Sequence, residues 1–240
     1  VSIKSTYVAG ARGVRSGLRS VGVLPALDRW AGRSRVGLWS RSLLSIHDAE
    51  ELAALDTPWW TLDAAARVDA FLAGRRDARA LEWGSGASTV WLARRCASVV
   101  AIEHDAVWAQ VVRGLLPEGS SVDLRLVEAP AATGSAGEVR SAKPGWTDRD
   151  FRAYVDLVDE VGGTFDVIVI DGRARQECLV AALPHLAEDG ILVFDNVDRR
   201  RYREALDALG ARIEVTTTRG LTPGLPYPTR TALVRHRRPG

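Results

Sequence analysis

A chain of 240 residues with 46% hydrophobic content can form one α/β domain with a large core and a shorter extension. With 32 basic against 30 acidic residues the formal charge is only +2, so nothing in the composition calls for a nucleic-acid partner. No run approaches the roughly 18 apolar residues of a membrane span, and no charged-then-apolar leader opens the chain. Cys96 and Cys178 stand far apart without a CxxC pair, which predicts neither a disulfide framework nor a zinc site and makes a reducing cytoplasm the expected compartment.

Residues 1 to 57 read as a basic, mostly helical N-terminal arm, and 58 to 240 as the main domain. In the arm Lys4, Arg12, Arg15, Arg19, Arg29, Arg33, Arg35 and Arg41 face a single acid, Asp28, up to about residue 44. Val14, Leu18, Val21, Leu24, Leu27 and Trp30 recur near helical spacing, interrupted by Pro25 and several glycines. Such an arm is expected to pack on the domain or on a second copy of the chain, giving a homo-oligomer; a membrane-surface helix and a substrate lid are the alternatives. From Ser45 to Gly74 the pattern is helical, with Asp56-Thr57-Pro58 as a start signal. Trp59 and Trp60 are expected in the core, with contact to a ligand the lesser option.

The most informative stretch follows: Ala80-Leu81-Glu82-Trp83-Gly84-Ser85-Gly86-Ala87-Ser88-Thr89. An apolar run ending in an acid meets a glycine bend and then a helical segment from about Ser88 to Ala97. Gly84 and Gly86 allow a tight turn and close approach of backbone to a ligand. A dinucleotide fingerprint wants a third glycine or alanine where Thr89 stands, and Glu82 would repel a pyrophosphate while suiting a cationic group. Ser98 to Glu103 reads as the second strand, and its terminal acid lies about twenty residues past the glycines, where a ribose is held through its paired hydroxyls. His104 reads as a turn residue.

Glu82-x-Gly84-x-Gly86 with Glu103 resembles the first motif of class I S-adenosylmethionine-dependent methyltransferases, and Glu-Trp-Gly-Ser-Gly-x-Ser-Thr resembles one bacterial branch of them. The resemblance implies a cofactor site with Glu82 near the methionine end, the backbone of Gly84, Ser85, Gly86 and Ser88 around it, Glu103 on the ribose, and Glu128 or the Ala129 backbone near the adenine. It also implies a Rossmann-like, doubly wound seven-stranded sheet of order 3-2-1-4-5-7-6 with the last strand antiparallel.

Further along, Ala106 to Leu115 is predicted helical, Val122 to Val127 a strand, and Ala131 to Pro144 a mobile Gly/Ala/Ser-rich loop closed by Trp146. Asp148 to Val161 follows as an amphipathic helix. Phe165 to Asp171 has the continuous β-branched run of a strand buried on both faces. After a helix from Arg175 to Leu186 come Gly190 to Asp195 as strand, Arg199 to Leu209 as helix, Arg212 to Thr216 as strand, and Arg230 to His236 as a last strand. The connection Arg219 to Thr229, with its three prolines, is assigned to the substrate rim.

Ligands of open parallel sheets sit beyond the carboxyl ends of the strands. There Asp171, Asp195 and Asn196 would converge on one small volume, and three hard oxygen ligands suit Mg²⁺ or a similar ion that would acidify an acceptor hydroxyl. The set resembles the metal site of catechol-type O-methyltransferases, although those carry a lysine where this chain has Ala174. The alternative is that Asn196 or Asp198 caps the next helix and Asp171 orders its loop. Without a metal, Asp171 is the general base, and Arg173 or Arg175 could hold an anionic or sugar-like substrate. The expected activity is O-methylation of a small molecule, a sugar or secondary metabolite. Two other classes compete with it: an NAD(P)-dependent oxidoreductase, and a non-catalytic interaction protein that keeps the fold.

Overall fold

The computed structural model describes residues 22–45 and 48–237. The first basic residues of the arm, Lys4 to Arg19, lie outside the described residues, as do Val14, Leu18 and Val21.

Strands β1 (Arg79–Trp83), β2 (Ser98–Glu103), β3 (Val122–Leu126), β4 (Phe165–Ile170) and β5 (Leu186–Asp195) run parallel. β7 (Thr229–His236) runs antiparallel between β5 and β6 (Ile213–Gly220), giving the order β3-β2-β1-β4-β5-β7-β6. This is the Rossmann-like doubly wound sheet that the sequence resemblance implies. Side chains alternate across it, so Leu81, Trp83, Ile168, Ile170, Leu192 and Phe194 bury one face, under α7 (Arg152–Val161), α8 (Arg175–Ala182) and α9 (Arg200–Leu209). Ala80, Val167, Val169, Ile191 and Val193 bury the other, against Trp60, α4 (Leu62–Leu72) and α5 (Ala87–Ala93). Helices on both faces are what β4 requires, since none of its last four residues could face water without exposing a large apolar side chain.

Three local expectations are corrected. Asp56-Thr57-Pro58 starts no helix: Asp56 takes a left-handed φ of 49°, the chain breaks there between α3 (Ala49–Ala54) and α4, and Thr61 caps α4 by accepting from the Ala64 N–H at 3.3 Å. The loop after β3 is tied down rather than loose. Glu138 accepts from the Thr133 and Gly134 N–H groups and pairs with Arg140 at 2.6 Å, and Val139 is buried in the core. Those backbone N–H groups and the Arg140 charge hold the Glu138 carboxyl down at about 2.

The third concerns the rim. Leu225 O accepts from Trp39 Nε1 at 2.8 Å, the Gly224 N–H donates to Ser42 Oγ at 2.9 Å, and Leu221 O accepts from the Leu62 N–H. The β6–β7 connection is therefore covered by α2 (Arg35–Ser42) and lines neither of the cavities described below. Within the arm, buried Arg41 bonds Asp28 of α1 (Leu24–Ala31), Ser45 and Glu51 of α3, gathering three segments on one guanidinium.

Candidate active site

Two adjoining cavities open at the carboxyl ends of β1, β2, β4 and β5, and they share Trp59, Asp171, Gly172 and Arg173 as a common wall. The wall exists because the ends of β1 and β4 almost touch. A Cβ on Gly84, whose φ is +93°, would come within 2.5 Å of the Gly172 Cα, and one on Gly172 would meet Tyr154 Oη at 2.0 Å. Only glycine fits either position.

The first cavity, about 320 Å³, is lined by Gly84, Ser85, Gly86, Ser88, Glu103, His104, Asp105 and Trp108. Glu103 is its fixed anion. Its Oε2 accepts from the Ser85 N–H at 3.0 Å and Ser85 Oγ at 2.9 Å, and its Oε1 from the His104 and Asp105 N–H groups at 2.8 and 3.0 Å. Burial works to raise the Glu103 pKa, but the His104 side chain and these N–H groups win and hold it below the usual range. His104 Nδ1 lies 2.7 Å from Oε1 at an angle outside hydrogen-bond geometry. Trp108 closes the mouth, donating Nε1–H to Ser85 O at 2.7 Å.

Glu82 does not line this cavity. Alternation along β1 turns it to the opposite face from Trp83, beneath α5, where it is fully buried. Thr89 Oγ1 donates to its Oε2 at 2.5 Å, while Oε1 has no partner. Burial raises its pKa to about 8 against hydrogen bonds from Ser88 and Thr89 that pull it down. Glu128 and Ala129 also miss the cavity: β3 stops at Leu126, Glu128 is exposed, and Ala129 leads into the bridge between Ala131 and Arg149. His104 and Asp105 stand in the wall instead, and Trp146 packs edge-on against the His104 ring at 4.4 Å.

The second cavity, about 330 Å³, lies over α8 and the start of α9. Here Asp171, Asp195 and Asn196 do come together, but around an arginine. Buried Arg175 donates from Nε to Gly172 O, from Nη1 to Asp195 O and Asn196 Oδ1, and from Nη2 to Asp171 O, and its Nη2 also pairs with the Asp171 carboxylate at 2.6 Å. Asp195 Oδ1 accepts from Thr231, and its Oδ2 from Asn196 Nδ2. The donor set expected for Mg²⁺ therefore does not fit a metal ion, because a permanent cation already holds Asp171 Oδ1 and Asn196 Oδ1 while Thr231 and Asn196 occupy the Asp195 carboxylate. Among the described residues no group of three or more His, Cys, Asp or Glu side chains is placed to hold one. Asn196, at φ 61°, shapes the turn after β5 and caps no helix through its side chain. Burial and the Asp171 charge raise the Asp195 pKa, opposed by Arg175 and Thr231.

Several residues of the cavities carried no sequence expectation, Trp108, Arg201 and Tyr202 among them. Trp108 sits in the first turn of α6 (Ala106–Leu115), and Arg201 and Tyr202 at the start of α9. The run Arg199-Arg200-Arg201-Tyr202, so close behind the Asp-Asn pair of a strand end, was the available signal. Of the two adjacent tryptophans, Trp60 is fully buried and Trp59 lines both cavities.

Residues 81–197 match the family model described as a methyltransferase domain. Among solved structures, the chain is similar to the O-methyltransferase TomG of Streptomyces achromogenes, involved in tomaymycin synthesis and crystallised with S-adenosylmethionine: 19% identity, TM-score 0.55, 80% of this chain and 90% of that one. It is also similar to an O-methyltransferase of Bacillus cereus in complex with S-adenosylhomocysteine, at 18% identity and TM-score 0.55, covering 79% of this chain and 90% of the other. These likenesses show the fold. Comparison with curated protein sequences gives no match.

Proposed function

We propose that this chain is a class I S-adenosylmethionine-dependent methyltransferase, its first cavity taking S-adenosylmethionine and its second an oxygen acceptor on a small molecule. The residues fit such a cofactor on two observations: a Cβ on Gly86 would enter open space, its nearest neighbour being the Trp108 ring at 4.0 Å, and the anchored Glu103 carboxylate lines the same cavity. The cofactor supplies an electrophilic methyl on a sulfonium. What falls to the chain is to bind it, align the acceptor with it and keep the acceptor oxygen deprotonated.

Glu103 is the ribose ligand in this reading, exchanging its Ser85 hydroxyl for those of the sugar. Glu82, turned under α5 and absent from the cavity wall, is left out of the ligand set. Asp171 is the general base: it faces both cavities, its Oδ1 is fixed by Arg175 at 2.6 Å, and its Oδ2 is left to receive the acceptor proton. The cofactor reading retains Gly84, Ser85, Gly86 and Ser88 and leaves out Glu128 and Ala129. No divalent ion takes part, since Arg175 provides the positive charge at that spot. Two buried, unpaired cysteines agree with a reducing cytoplasm, and exposed Val23, Trp30 and Val36 leave a face on the arm for a homo-oligomer.

The shared wall carries this proposal, because it puts donor and acceptor cavities in contact at a carboxylate. The test is methyl transfer from labelled S-adenosylmethionine to a panel of hydroxylated small molecules. Asp171→Asn, which still accepts from Arg175, should lower kcat about 100-fold and leave S-adenosylhomocysteine affinity within threefold. Full turnover by that variant would remove Asp171 as base.

A further inference from the structure

The second cavity is far more basic than the chain that makes it. Six cationic side chains line it, Arg140, Lys143, Arg173, Arg175, Arg199 and Arg201, against two carboxylates, Asp171 and Glu177, whereas the whole sequence carries a formal +2. Partners within the fold account for part of this charge. Arg175 is bonded to the strand ends and paired with Asp171, and Arg140 pairs with Glu138. Arg173, Arg199 and Arg201 pair with no carboxylate among the described residues. Arg173 gives one weak bond, Nη1 to Gly172 O at 3.4 Å, and its buried Nε has no partner at all. Arg199 and Arg201 both lie over the Tyr202 ring, 5.5 and 4.9 Å from its centroid, and both donate to Tyr202 Oη, at 3.3 and 3.4 Å.

Gathering three guanidinium groups around one small volume costs repulsion unless an anion occupies it. Their planar forks suit a phosphate or carboxylate, which accepts paired N–H bonds. Of the two acids in the wall, Asp171 is held by Arg175, and burial raises the Glu177 pKa.

Building on the acceptor reading of this cavity, we propose that the methyl acceptor is an anion: a small molecule whose phosphate or carboxylate is bound by Arg173, Arg199 and Arg201, with its hydroxyl delivered to Asp171. The volume of about 330 Å³ sets the scale at a compact metabolite. The guanidinium field also favours the oxyanion form of the hydroxyl.

The test is calorimetric titration of phenyl phosphate, benzoate and phenol into protein saturated with S-adenosylhomocysteine, at low and moderate salt. At least one of the two anions should bind about tenfold or more tightly than phenol, with the gap narrowing as salt rises. The tighter of the two identifies the group that the arginines select. An Arg199→Gln, Arg201→Gln double variant, altered at exposed and half-exposed positions, should cut the gap to threefold or less while keeping its S-adenosylhomocysteine affinity. Equal binding of all three probes would overturn the inference, as would an anion preference that survives the double variant. S-adenosylhomocysteine titrated alone separates the two levels: if it binds and no anion preference appears, only this inference falls; if it does not bind, the methyltransferase reading of the site falls as well.

Discussion

The two cavities on either side of Asp171, Gly172 and Arg173 are opposites in charge and in construction. The first is walled by Glu103, Asp105 and Asp171 and suits a cationic sulfur donor. The second is walled by arginines and suits an anionic acceptor. In the proposed reading donor and acceptor are sorted by sign, with Asp171 and Arg173, which line both cavities, at the point where they meet. The boundary between the cavities is the Gly84–Gly172 contact flanked by Trp59, Asp171 and Arg173, which line both volumes.

The largest way to break this contrast is to remove the charge at its hinge. Arg175→Leu leaves buried Asp195 and half-buried Asp171 without their cation, and should cost about 3 kcal/mol in urea or thermal unfolding. Arg175→Lys, with three donors for five acceptors, should recover only part of it. A loss below about 1 kcal/mol would mean that Arg175 does not organise the acceptor wall.

A pH titration sharpens the acidic side. Glu82 has a native pKa near 8 against 4.5 for the ordinary group. Between those values the native state holds the extra proton, so this group's contribution to stability falls as pH rises from about 4.5 to 8. Asp195, also raised, acts in the same direction over its own range, so Glu82→Gln should reduce that slope in thermal melts without abolishing it. Glu82 lines neither cavity, so Glu82→Gln should leave S-adenosylhomocysteine affinity within about threefold of the wild type. A larger loss would place that carboxylate on the ligand.

The smallest expected effect is none. Treatment with EDTA should leave the methyl-transfer rate within about twofold of its starting value, because a guanidinium stands where the ion would sit. Loss of activity restored by Mg²⁺ would contradict the assignment of Arg175.

The contrast in construction also explains what the sequence disclosed. The first cavity is built from neighbours in the chain: one strand end, one glycine bend and the acid of the next strand. Leu81 to Glu103 therefore displayed it as a local pattern, and the strand order followed from family resemblance. Side-chain alternation decided what that pattern could not: Glu82 turns under α5 and leaves the cavity surface to Glu103. The second cavity is assembled from residues 140–143, 171–177 and 196–202, segments joined only by tertiary packing. Convergence of Asp171, Asp195 and Asn196 was legible, since strand ends must meet at that edge. That Arg175 would fill the space among them was not, because the reach of one side chain from the first turn of α8 depends on the left-handed turn at Ala174. The rim was misplaced for a similar reason, as only the docked arm shows that Trp39 and Ser42 already hold the β6–β7 connection.

The central claim is that an acidic pocket at the ends of β1 and β2 holds the methyl donor. Its most direct test is calorimetric titration of S-adenosylhomocysteine into the wild type and Glu103→Ala. The account predicts saturable binding by the wild type and a loss of about tenfold or more in the variant, as for a charge-assisted hydrogen bond. Equal affinity in the two, or no binding to the wild type at millimolar ligand, would contradict it.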